Sequence, residues 1–381
     1  MNYPTTPIIN QLPVSDPLNP STGRVDSPEA WRARVPALRQ EIVDLMYGGL
    51  PPEPEGTQIE TLCHNRSKRW PDRPLNISYR IHCHGGQRPF SFCARVLVPD
   101  NPDPHPAIIT GDGCWWYVTD ELVQRILAAG CALVVFNRTE LAEDQGSVKD
   151  ETPCRYAPRG QAPDPGRNRR RGGLYEIYPD HTFGAISAWA WGYHRCVDLL
   201  YQLPFIDTDR VAISGHSRGG KTTLVAGATD ERITLVNSNG SGTCGASLSR
   251  YIGHGGETLQ IANTFPSWVG PRLRDHVQQN RSWSFDQHEL LALMAPRPLL
   301  LTYALDDRWS NPEGMVLATE AARPVYRLLG QPDRLAFTLR PGPHAHTPED
   351  WGTLLDFING QWFDQATSVA YNRHPYTHLP R

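Results

Sequence analysis

The sequence predicts an α/β protein in which a mostly parallel sheet is flanked by helices on both faces, a three-layer sandwich. Three observations carry this reading. "AIIT" (107–110) and "CALVVF" (131–136) are short, nearly all-apolar runs, the pattern of strands buried on both faces. The segment between them, "DELVQRILAAG", has helical spacing, and strand–helix alternation is the signature of a parallel sheet. The same alternation resumes after residue 183 and runs almost to the C-terminus.

Along the chain, residues 1–27 are polar and proline-rich and read as a loosely packed arm. Residues 28–381 read as a single α/β domain. Ser27 to Gly48 has a serine N-cap, helical periodicity and a closing glycine, so it is expected to be a helix. "LNISYRIHCHGGQRPFSFCARVLVP" alternates around a Gly-Gly turn and predicts a hairpin. Residues 139–182 hold few apolar runs and many Pro, Gly and Arg residues, and read as a long loop inserted beside a site. "FGAISAWAWGYHRCVDLLYQL" is periodic and apolar enough for a buried helix. "RVAIS" is a strand and "KTTLVAGATD" a helix; "RITLVNS", "RPLLLTYA" and "RLAFTLR" are further strands. "TPEDWGTLLDFINGQWF" is a last helix capped by Thr347.

Composition narrows the function. Hydrophobic residues make up 39% and charged residues 20% of the 381, as in an ordinary globular protein. A net charge of −3 lacks the basic surplus of a nucleic-acid binder. No apolar run reaches the roughly 20 residues of a membrane-spanning helix. The N-terminus has neither a basic start nor a hydrophobic core, so it does not read as a signal peptide. Eight cysteines without CxxC spacing argue against a zinc ribbon, while admitting one or two disulfides. Only three lysines stand among 37 basic residues, and one of them, Lys221, follows a serine motif closely.

That motif is "ISGHSRGGK". Gly215-His216-Ser217-Arg218-Gly219 fits G-x-S-x-G and lies between a strand and a helix, the context in which this motif marks a nucleophile. The tight turn forces the serine backbone into an unusual conformation and lifts its Oγ above the strand ends. A serine hydroxyl needs a base, and the base needs an orienting acid. In α/β-hydrolases these follow in the order Ser, acid, His, each at a strand end. "LDDRW" after one strand offers Asp306 and Asp307, and "PGPHAH" after the next offers His344 and His346. Further ligands at metal-binding spacing are lacking around that histidine pair, so a metal is not expected. Asp286 and His288 look catalytic by type, but read as a polar structural network.

With these residues in place, the sequence resembles the glucuronoyl esterase family of carbohydrate esterases, in particular its bacterial branch. The likeness extends from about Trp31 to Phe363 and rests on "FGAISAWAWG", "GHSRGGKTTLVAGATDERI", "NSNGSGTCGASLSR", "NTFPSW", "DDRWSNPEG" and "RPGPHAHTPEDW". The resemblance implies a cofactor-free serine esterase that cleaves esters of (4-O-methyl)glucuronic acid, as in lignin–xylan cross-links. By position it implies Ser217 as nucleophile, His344 as base and Arg218 as a holder of the oxyanion. It further implies Lys221, Glu257 and Trp309 as contacts to the uronate sugar. Two departures stand out. The acid slot of the fungal branch, in "NSNGSG", is Gly240 here, so the acid is expected from the later loop, with Asp307 ahead of Asp306. "GDGCWW" (111–116) also differs from the family's usual loop on the alcohol side. The alternatives are an esterase for another acyl group, such as acetyl on a polysaccharide, and a carbohydrate-binding protein without turnover.

Overall fold

The computed structural model describes residues 16–20, 23–115, 117–144, 171–253, 255–278 and 284–379. Most of the expected inserted loop and arm therefore lies outside the described residues. Nine strands form one sheet: β1 (Gly56–Arg66), β2 (Leu75–His84), β3 (Phe90–Val98), β4 (His105–Thr110), β5 (Ala132–Phe136), β6 (Ile206–His216), β7 (Leu235–Asn239), β8 (Leu299–Ala304) and β9 (Leu335–Arg340). Their order in the sheet is β1-β2-β3-β5-β4-β6-β7-β8-β9. β1, β2, β3 and β5 pair antiparallel in that sequence, and every pairing from β5 to β9 is parallel. This is the α/β-hydrolase fold.

The helices follow the sequence patterns closely. Pro28–Tyr47 is capped by Ser27 Oγ, which accepts the Ala30 N–H at 3.2 Å, and ends on left-handed Gly48. Ala185–Leu200 buries fifteen of its sixteen residues, which is why its sequence is apolar all round. Pro348–Phe363 begins with a reciprocal capping box between Thr347 and Asp350.

Two elements escape the periodicity. β1 is an edge strand exposed along most of its length, so no alternation marks it. Helix Pro312–Leu328 starts from Asn311, itself left-handed at φ 53°, and carries an internal proline that disguises its pattern. The described cysteines 63, 83, 93, 114, 131, 196 and 244 are all free thiols. Among the described residues no helix is long and apolar enough to cross a membrane.

Register sets the geometry of the active rim. Thr110 is paired with Ser214, His216 with Asn239, Asn239 with Thr302, and Ala304 with Arg340. The carboxyl ends of β4, β6, β7, β8 and β9 therefore lie along one edge, and the loops leaving them converge there. Tyr193 braces this edge from the buried helix, accepting the Gly111 N–H at 2.8 Å and donating to Ser214 O at 3.1 Å.

Behind the sheet, the N-terminal helix is joined to helix Gln287–Ala292 by an ion pair from Arg34 to Glu289 at 3.1 Å. Burial pushes the Glu289 carboxyl up to about 7, against the pull of Arg34. A carboxyl raised in the folded state favours folding below the unfolded value near 4.5, and that contribution disappears as pH rises through 7. Glu289→Gln is therefore expected to match the wild type at about pH 4 and to exceed it at about pH 8. The upper limit is roughly 3 kcal/mol, set by the free energy of one such shift. Thermal melts of both proteins across that pH range check the sign.

Candidate active site

β6 ends at His216, and helix Arg218–Thr229 starts two residues later. Ser217 between them has φ 55° and ψ −120°, a conformation costly for any residue but glycine. Packing enforces it. A Cβ at Gly215 would stand 2.5 Å from Gly219 O, and one at Gly219 would strike the Asp112 carboxylate, so both positions require glycine. The Ser217 N–H donates to Asn239 O at 2.8 Å, tying the turn to the end of β7. The result is a half-buried serine at the N-terminus of a twelve-residue helix.

The two acid candidates behave differently. Asp306 is exposed, and its Oδ2 accepts the Gly342 N–H at 2.9 Å. Asp307 is buried, and its Oδ2 lies 2.5 Å from His344 Nδ1. Ser310 locks this arrangement: its Oγ donates to Asp307 Oδ2, stands 3.0 Å from Gly240 O and lies 3.1 Å from His344 Nδ1. A Cβ at Gly240 would be 3.4 Å from the His344 ring and 3.5 Å from Asp307 Oδ2. A carboxylate carried by that slot would thus face the same imidazole that Asp307 already serves.

The other histidine, His346, is buried with its ring 5.9 Å from that of His216, and neither of its ring nitrogens has a hydrogen-bond partner among the described residues. It stacks on Trp351 at 4.5 Å, and burial, with Arg340 nearby, pushes its pKa down to about 3. His344 instead lies 4.4 Å, ring to ring, from His216, the residue before Ser217. Burial and the two neighbouring histidines hold the His216 pKa well below the usual range, so this ring stays neutral. Its Nδ1 pairs with Asn239 Oδ1 at 2.5 Å. Among the described residues the Ser217 Oγ makes no hydrogen bond of its own. Nor are three His, Cys, Asp or Glu side chains grouped there to hold a metal.

Arg218 does not pair with Asp230 or Glu231, the acids nearest beyond its helix; Asp230 holds Arg232 and Glu231 holds Arg39. Its Nη1 donates to Asp144 Oδ1 at 2.8 Å, and its guanidinium lies 4.3 Å from the Trp268 ring. Asp144 also accepts from Arg138 Nη2 at 3.2 Å, while Arg138 Nη1 donates to Asp112. Asp112 Oδ2 in turn accepts the His216 N–H at 2.8 Å. A fully buried arginine thereby links both neighbours of Ser217, stacked 4.1 Å from Trp115 and 4.9 Å from Trp189. Nothing in the local sequence pattern announces Asp112, Arg138 or Asp144, which come from separate loops. The same holds for the Ser310 hydroxyl: the cap there is Asp307, which accepts the Ser310 backbone N–H, and nothing in that spacing requires a serine.

Lys221 and Glu257 meet at 2.7 Å, each only 3% exposed. The other ammonium donors go to Ser241 O at 2.6 Å and Thr243 O at 2.5 Å, so the lysine is fully engaged within the protein. Burial raises the Glu257 pKa, and Lys221 opposes it. The Glu257 N–H donates to Trp309 O at 2.7 Å, which attaches this pair to the loop bearing Asp307. Trp309 itself is half-buried. Asp286 caps helix Gln287–Ala292 and accepts the Ser249 and Arg250 N–H groups at 2.8 and 3.0 Å, a structural assignment.

A strained serine elbow with an Asp-paired histidine at the same rim defines a protein of the α/β-hydrolase class. The family model described as "Glucuronyl esterase, fungi" matches residues 152–330. A carbohydrate esterase from an unknown prokaryotic organism is 40% identical over 193 residues, 46% of this chain and 44% of that protein. A 4-O-methyl-glucuronoyl methylesterase of Hypocrea jecorina is 30% identical over 305 residues, 76% and 59% of the two chains. The chain thus spans about half the length of these curated relatives. Among solved structures, a carbohydrate esterase family 15 glucuronoyl esterase from Caldicellulosiruptor kristjansonii superposes with a TM-score of 0.78 at 27% identity. That match covers 99% of this chain and 97% of the other. The chain belongs to the glucuronoyl esterase family, carbohydrate esterase family 15.

Proposed function

We propose that this protein hydrolyses carboxylic esters of glucuronic acid, including 4-O-methyl-glucuronic acid, through an acyl-enzyme on Ser217. The observation that carries the reading is the 2.5 Å Asp307–His344 pair set against His216, beside the strained serine. Asp307 holds the Nδ1 proton, which leaves Nε2 as the basic nitrogen. His344 takes the Ser217 proton as Oγ attacks the ester carbonyl, with the short side-chain movement usual when a substrate loads. It then returns that proton to the departing alcohol. Water repeats the sequence on the acyl-enzyme, releasing the uronic acid and freeing Ser217.

Charge accumulating on the carbonyl oxygen is met by the Arg218 N–H at the helix start and by the Arg218 side chain. Asp144 and Trp268 hold the guanidinium in place, and its Nε is a buried donor with no partner among the described residues. Arg218→Ala is expected to lower kcat about 10²–10³-fold, the usual scale for one oxyanion donor, with little change in KM. Steady-state kinetics check this; a pure KM effect would place Arg218 in ground-state binding. The Lys221–Glu257 pair supplies a rigid polar wall for sugar hydroxyls, with Lys221 acting chiefly by fixing Glu257. Trp309 gives the pyranose ring an apolar face.

The deciding experiment compares kcat/KM on benzyl D-glucuronate, benzyl D-galacturonate and p-nitrophenyl acetate. The glucuronate ester should be strongly preferred. Preference for the acetate would make the protein an acyl esterase of another kind. Failure of a fluorophosphonate probe to label Ser217 would make it a carbohydrate-binding protein without turnover.

A further inference from the structure

Arg340 ends β9 and stands immediately before the loop that carries His344. It is only 7% exposed, and that loop is wrapped around its guanidinium. Nη1 donates to Pro341 O at 3.0 Å, while Nη2 donates to Pro343 O at 3.3 Å and Ala345 O at 2.7 Å. The carbonyls directly before and after His344 are thus gripped by one planar group. Nε donates to both Asp350 oxygens, at 3.0 and 2.9 Å, and this compensates the buried charge. Asp350 in turn accepts the Thr347 N–H at 2.8 Å and starts the last helix. Residues 341–347 have no helix or strand of their own to hold them. Beyond these contacts, the loop is tied by Gly342, which pairs with Asp306.

We propose that Arg340 is a positioning residue for His344, templating the backbone on either side of the imidazole so that it meets both Asp307 and Ser217. It touches no reacting atom, and the inference rests on His344 being the base. Only arginine fits this task. Its planar fork of five N–H donors reaches three carbonyls and a carboxylate at once, whereas a lysine's three donors radiate from a single nitrogen and cannot span them. The dependence is expected to be steep, because a displacement near 1 Å in a reacting group can cost about 10² in rate.

The surroundings supply a direct test. β9, the last helix and residues 368–373 border an open cleft of about 660 Å³ lined by Arg340, Asp350, Thr353, Arg125, Asp356 and Arg373. A small planar cation entering it reaches the place that a truncated Arg340 would vacate. The readout is the rate at which a fluorophosphonate labels Ser217, which needs the base but no sugar recognition. Arg340→Ala should label about 10–100-fold more slowly than wild type, with the KM for an ester substrate changed less than about twofold. Guanidinium at about 10 mM, far below denaturing concentrations, should restore much of the lost rate, and methylammonium should not.

Arg340→Lys keeps the buried charge and its Asp350 partner. It should stay folded even where Arg340→Ala does not, and still label about tenfold more slowly. Labelling of either folded variant at the wild-type rate would overturn the inference. So would slow labelling that guanidinium leaves unchanged, which would mark a merely structural arginine. Absence of labelling in the wild type would instead refute the serine-hydrolase reading itself, so the two failures are distinct.

Discussion

Ser217→Ala is expected to lower kcat by about 10⁴–10⁶, the loss seen when serine hydrolases surrender their nucleophile. The fold should survive. Ser217 Oγ makes no hydrogen bond among the described residues, and the turn is held by the Ser217 N–H to Asn239 and by the tightness at Gly215 and Gly219. Alanine inherits the positive φ of 55°, so it gains nothing by relaxation. Ser217→Gly should lose as much activity while being more stable than the alanine variant, because glycine tolerates this backbone at a saving of about 1–3 kcal/mol. Initial rates on a glucuronate ester, fluorophosphonate labelling and thermal melts of the three proteins test all of this. A Ser217→Ala enzyme retaining most of its activity would remove the nucleophile assignment. An inactive variant that also melts far below wild type would mean that the hydroxyl serves the fold.

The serine elbow was legible because its demands are local. Two glycines, a strand before and a helix after fall within a dozen residues, although only the first glycine is imposed by nearby backbone, the Gly219 carbonyl, and the second is imposed by the Asp112 carboxylate. The parallel strands could be located along the chain because burial on both faces leaves uninterrupted apolar runs, whereas their order in the sheet could not. Choosing between Asp306 and Asp307 was not legible from residue type, because adjacent carboxylates differ only in direction. The loop resolves them: one faces solvent and the Gly342 amide, the other turns inward and caps the Arg308–Ser310 turn. The network of Asp112, Arg138 and Asp144 was invisible for a deeper reason. Its members are paired by the meeting of separate loops, and no spacing along the chain encodes that. Lys221 shows the opposite limit. Its closeness to the serine motif leaves its partners unread: the ammonium is held by Glu257 and two carbonyls, because a buried cation must be fully paired.

Asp307→Asn should reduce kcat by about 10³–10⁴, while Asp306→Asn should cost less than about fivefold. The substitutions are chemically identical and one residue apart, so the contrast isolates position. Asparagine at 307 preserves volume in a site that is 4% exposed, but it can place an N–H against His344 Nδ1. The imidazole then adopts the other tautomer, Nε2 carries the proton, and Ser217 meets a donor where it needs a base. It also removes the negative charge that stabilises the imidazolium formed during attack. Ser310 enforces this outcome, since its Oγ donates to Asp307 Oδ2 and leaves the side chain little freedom to rotate away. At 306, asparagine keeps an oxygen to accept the Gly342 N–H, and the exposed carboxylate loses nothing that solvent cannot replace. The measurement is kcat for both variants on one ester across pH. Alkaline assay should recover part of the Asp307→Asn loss, as hydroxide takes over from the missing base, and should leave Asp306→Asn parallel to wild type. A larger loss at 306 than at 307 would transfer the acid to the exposed carboxylate, and would require the loop after β8 to rotate when substrate binds.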